Sequence, residues 1–91
     1  MAIQIVPMMK SGDANAVIDK VIAAINNSGI KFRVGPCETV MEGTHEELTG
    51  VLEAAQQVCF DAGADDILVN VKIERSRGRD MTIERAIGKF A

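Results

Sequence analysis

The side chains best placed to do chemistry in this 91-residue chain are two glutamates, Glu38 and Glu42. They fall in the stretch 33–43, which reads as a strand end, a turn at Gly35 and Pro36, and a second strand closing on Gly43. The two-residue period of a strand puts Glu38, Val40 and Glu42 on one face and Thr39 and Met41 on the other. Two carboxylates on a sheet surface suit water, a partner or a cation, and suit a core poorly. Their spacing would allow an acid–base pair. The rest of a catalyst is missing from the sequence: there is no nucleophile beside a base, no glycine loop to cradle a phosphate and no cluster of metal ligands. An enzyme is not expected. Cys37 and Cys59 are too few and too far apart for a disulfide scaffold, and His45 cannot complete a four-ligand zinc site with them. Cys59 falls on a helix stripe as a small buried hydrophobe. No metal and no cofactor are expected.

The elements that must position these carboxylates are legible from periodicity. Ninety-one residues with 47% apolar content and 3% aromatic content make one domain, 1–91, whose core must be aliphatic. A formal charge of −3 disfavours nucleic acid, which needs clustered cations. No apolar run reaches membrane-spanning length, and the start lacks the pattern of a signal peptide, so the expected location is cytoplasmic.

Residues 2–9 read as a strand with Ile3 and Ile5 on one face and Gln4, Val6 and Met8 on the other. Pro7 cannot donate a ladder hydrogen bond, so the strand should be bulged or unpaired there. Asp13 caps a helix that runs to Ser28 and stops at Gly29. Its stripe is Ala14, Val17, Ile18, Val21, Ile22 and Ile25. A short strand follows at 30–34 and another at 39–42. Thr44 with Glu47 forms a capping box for a second helix ending at Gly63. A last strand at 67–74 alternates Ile67, Val69, Val71 and Ile73 with Leu68, Asn70, Lys72 and Glu74. Thr82 opens a short terminal helix carrying Ile83, Ile87 and Phe90.

This order, strand–helix–strand–strand–helix–strand, predicts an α+β, ferredoxin-like βαββαβ sandwich with a four-stranded antiparallel sheet and a short C-terminal helix. Right-handed crossovers place both helices on one side, with the first and third strands central. The helix-facing residues are Ile3, Ile5, Phe32, Val34, Ile67, Val69, Val71 and Ile73. The opposite face is left bare, with Val6, Met8, Val40 and Leu68 apolar among Gln4, Glu38, Glu42, Asn70 and Lys72. Such a face suits sheet-on-sheet pairing of two subunits or a small ligand with an apolar ring and a charged end. An assembly module using this face only for oligomerisation is the alternative. An RNA-binding version would need aromatics there, and alternation supplies none.

With Ile5, Val6 and Pro7 ahead of the first helix, and Val34, Gly35, Pro36, Thr39, Glu42 and Gly43 spaced as VGP-x-x-T-x-x-EG, the chain resembles the small thiamine-binding family related to YkoF. The acidic helix start after Gly43, the run Val71, Lys72, Ile73 and the run Thr82, Ile83, Glu84 also fit, so the resemblance covers nearly the whole chain. It implies a ferredoxin-like binding protein for thiamine or its hydroxymethylpyrimidine moiety. YkoF carries two such domains, whereas this chain shows no internal repeat. A homodimer, or a homotetramer as a pair of dimers, is therefore implied. For such a ligand the expected binding residues are Gln4, Val6, Met8, Val40, Glu42, Asn70 and Lys72 of the open face, with Thr39 added on the resemblance. Glu42 or Glu38 would offset the thiazolium cation or accept from the exocyclic amine. Gln4, Thr39 and Asn70 would meet the pyrimidine edge, and Val6, Met8 and Val40 its faces. Lys72 would pair with Glu42 or bind a phosphate. Strict alternation turns Thr39 towards the helices unless the turn resets the register.

Overall fold

The computed structural model describes residues 1–77 and Ile83. Its elements run β1 (Ala2–Met8), α1 (Ala14–Asn27), β2 (Lys31–Val34), β3 (Thr39–Glu42), α2 (His45–Asp61) and β4 (Asp66–Lys72). The expected terminal helix, with Ile87 and Phe90, lies outside the described residues apart from Ile83 itself.

Local chemistry sets the helix ends. Asp13 Oδ1 accepts from Asn15 N–H at 2.9 Å, satisfying one of the unpaired donors at the start of α1. Gly29 follows with φ +81°, a left-handed stop that a side chain would strain. At α2 the capping box is complete: Glu47 N–H donates to Thr44 Oγ1, and Thr44 N–H donates to Glu47 Oε1, each at 3.1 Å. Those bonds hold the Glu47 carboxyl below its ordinary value.

The sheet order is β2-β3-β1-β4, every neighbouring pair antiparallel, so β1 and β3 are central as topology requires. This is the ferredoxin-like α+β fold. Beneath the helices the core joins Ile3 and Met41 of the sheet to Val17, Val21 and Ile25 of α1 and to Leu48, Ala55 and Cys59 of α2. Burial raises the Cys59 thiol pKa, so it is an inert core residue.

Two expectations about this core are corrected. Val34, Val71 and Ile73 were expected under the helices, yet they are 50%, 37% and 52% exposed. Val34 and Val71 end the helix-facing rows of the outer strands β2 and β4, whose Phe32 and Ile67 do reach the core, and Ile73 lies past the end of β4. Ile18 of the α1 stripe is likewise exposed, because the sheet beneath it is not continuous.

Candidate functional site

The discontinuity lies beside β1. Seven residues of β1 pair with β4, from Ala2↔Lys72 to Met8↔Asp66, but only two pair with β3, Ala2↔Val40 and Ile3↔Thr39. β3 is four residues long against seven in β1. Ahead of Thr39 the chain turns away through the β2–β3 hairpin, where Gly35 N–H donates to Glu38 C=O at 2.8 Å. A Cβ at Gly35 would meet that same carbonyl oxygen at 2.9 Å, so this turn needs glycine. The second half of β1 therefore overhangs its neighbour.

The overhang opens a cleft of about 340 Å³. Its floor is the β1 run from Ile3 to Pro7, its inner wall is Ile18, Val21, Ile22 and Ile25 of α1, and its rim is the hairpin from Val34 to Thr39. The volume falls in the range of small-molecule sites, ~300–1,000 Å³, and an apolar lining with a few polar groups is typical of them.

Main-chain direction along β1 follows from Met1, the residue just ahead of it. Met41 N–H donates to Met1 C=O at 2.7 Å, and the Met1 nitrogen donates to Met41 C=O at 3.0 Å. In an antiparallel ladder, positions of one parity face one neighbour and those of the other parity face the opposite neighbour. Odd residues of β1 thus address β3, and even residues address β4. Ile5 and Pro7 are the odd positions beyond Thr39, and no described residue bonds to them across the seam. The sequence expectation that β1 is unpaired at Pro7 holds on this flank: its missing N–H faces the cleft.

The expected site residues divide between the cleft and the bare sheet face. Gln4, Val6 and Thr39 line the cleft, together with Glu38. Thr39 faces the helix side, opposite Ile3 and Val34, as strict alternation requires. Met8, Val40, Glu42, Asn70 and Lys72 lie outside the cleft, with Met8, Asn70 and Lys72 exposed. Asn70 Nδ2 donates to Gln4 Oε1 at 3.2 Å, which fixes the Gln4 amide next to the cleft. On the same face Val6, Met8 and Leu68 stand 38%, 46% and 54% exposed, an apolar group larger than a lone surface residue.

The ion pairs differ from the expected Glu42–Lys72 pairing. Lys72 Nζ lies 3.3 Å from Glu38 Oε2. Glu42 Oε2 is 4.0 Å from Lys31 Nζ, its register partner on β2, while Glu42 Oε1 accepts from Ile83 N–H at 2.8 Å. A contact of 41 residues' separation left no trace in local periodicity. Sequence reasoning also assigned Ile18 and Ile22 wholly to the core, whereas both wall the cleft. The available signal was Pro7 together with the unequal lengths of the first and third strands.

Among the described residues no group of three or more His, Cys, Asp or Glu converges as a metal site. No described helix is long and apolar enough to cross a membrane. Fold and cleft together define a small α+β domain with an opening of small-molecule size. The chain belongs to the thiamine-binding protein family, whose model matches residues 1–91. It is 36% identical to the UPF0045 protein CPE1503 of Clostridium perfringens over 90 residues, covering 99% of this chain and 94% of that one. Among solved structures, a Bacillus cereus domain of unknown function, DUF77, superposes with a TM-score of 0.91 at 34% identity, covering 99% of this chain and 86% of that one. A Thermotoga maritima protein provisionally assigned to thiamine biosynthesis or salvage gives 0.84 at 29% identity, covering 99% and 95%.

Proposed function

We propose that the protein binds thiamine or its hydroxymethylpyrimidine portion without turning it over, and that the ligand enters at the gap between β1 and β3. The supporting observation is the cleft itself, an apolar-walled opening where Gln4, Val6 and Thr39 meet Glu38. Thiamine pairs a flat aminopyrimidine with a cationic thiazolium. The apolar walls suit the ring, and the Glu38 carboxylate at the rim suits the cation. A second copy of the chain then covers the bare face over Val6, Met8 and Leu68, with Val40, Glu42, Asn70 and Lys72 at its margin. That places the cleft mouth beside the subunit interface.

Calorimetric titration with thiamine and with its pyrimidine alcohol tests this reading. Saturable heat is expected, and at ten times Kd the ligand should stabilise the fold by about 1.4 kcal/mol, raising Tm by several degrees. Absence of heat and of any melting shift at millimolar ligand would contradict it.

A further inference from the structure

The overhanging part of β1 offers more than a wall. We infer that the main-chain N–H and C=O of Ile5 read the ligand directly, as a donor and an acceptor set against the adjacent ring nitrogen and amino group of an aminopyrimidine. This rests on the binding reading above and adds which atoms confer the specificity.

The register carries the assignment. Ile3 is the last β1 residue opposite β3, and Ile5 is the next residue whose N–H and C=O both turn to that flank. Main-chain groups shielded from water are paired with something in native proteins. Here the adjoining space is a cavity rather than a strand. A flat ring lying in the plane of the missing strand would meet both Ile5 groups edge-on. Its faces would rest on Ile18 and Ile22 on the helix side and on Val6 on the other.

A peptide strand fits less well. A strand pairing along the overhang would need donors and acceptors at both Ile5 and Pro7, and Pro7 has no N–H to give. The run of usable edge is thus a single residue. One donor and one acceptor side by side match a small heteroaromatic edge and are too few for a ladder. Discrimination on this basis should be strong, because a ligand lacking the matching donor leaves a shielded carbonyl unsatisfied.

Amide hydrogen exchange by NMR on the 15N-labelled wild-type chain is the test. The probes are the aminopyrimidine alcohol of thiamine and an analogue with a carbonyl oxygen in place of the amino group. At saturation with the first, exchange at Ile5 N–H should slow by about tenfold or more, while Gln4 and Val6, already bonded to β4, keep their rates. The oxo analogue should bind about tenfold more weakly or worse. Ile18→Trp, a change at an exposed position that fills the cleft, should abolish binding of both with the far-UV CD spectrum unchanged. Binding with Ile5 exchange unaltered, or equal affinity for the two probes, would overturn the inference and leave the binding reading standing. Protection of Ile5 that rises with protein concentration in the absence of probe would overturn it too, by showing a second chain's strand in the gap. Failure of the aminopyrimidine alcohol to bind would sink the reading and the inference together.

Discussion

The two flanks of β1 treat the same strand in opposite ways. Towards β4 it is paired along all seven residues; towards β3 it is paired at two and then faces open space. One flank commits its main-chain groups to the fold, and the other leaves Ile5 with no described strand opposite it. The difference arises from strand length and from a glycine-dependent turn, with Pro7 in β1 removing a donor on the open flank. The floor of the cleft is held from the opposite side by a full ladder, the kind of support that a precise site needs.

Substitutions that treat the flanks separately sharpen this contrast. The largest effect is expected where the β1–β3 seam is closed. Met41 is 1% exposed, and Met41→Ala should cost about 2–5 kcal/mol in urea denaturation. At the open end of the seam, Ile18→Ala should cost less than about 1 kcal/mol, since its side chain already meets solvent. Equal losses would mean that the cleft wall is ordinary core. Next comes the paired flank, where Leu68 sits opposite Val6 on the bare face. Leu68→Asp should weaken self-association by about a hundredfold in sedimentation equilibrium, equivalent to about 2.7 kcal/mol. An unchanged association constant would remove the second copy from that face.

A smaller effect separates the two halves of the ligand. Glu38→Gln should weaken thiamine about fivefold, or ~1 kcal/mol, and leave the uncharged pyrimidine alcohol unaffected, as calorimetry would show. Equal weakening of both would place Glu38 on the ring instead of the cation. The smallest effect belongs to a region remote from the cleft. The Glu47 carboxyl is held below its ordinary value by the Thr44 bonds. Its contribution is therefore full above the unfolded-state pKa and is lost as pH falls through the lower folded-state value. Glu47→Gln should flatten the acid limb of a stability–pH profile slightly and leave ligand affinity alone. An unaltered limb would show that the capping carboxylate adds no acid dependence.

Much of the scaffold was legible in the sequence because local rules decide it. Asp13, Gly29 and the Thr44–Glu47 box mark helix ends through short-range hydrogen bonds. Alternation gave the faces of β1 and β4, and it put Thr39 on the helix side. The cleft was half legible: Pro7 announced an unpaired position, but how far the hairpin draws β3 away is a matter of tertiary placement. The partners of Glu42 and Lys72 were not legible at all. Glu42 is engaged by Ile83 across 41 residues, and Lys72 chooses Glu38 over it. Such choices depend on where chain segments meet, which periodicity does not encode. The exposure of Val71 and Ile73 has the same origin, since a β-branched run shows a strand's faces but not how far the helix layer extends.

The central claim is a location, and a crystal structure of the protein grown with the pyrimidine alcohol of thiamine tests it most directly. The account predicts ring density between Ile5 and Ile18, in the plane the missing length of β3 would occupy, with the amino group turned to the Ile5 carbonyl. Density lying instead over Leu68, Asn70 and Lys72, with the gap beside β1 filled by ordered water, would contradict it.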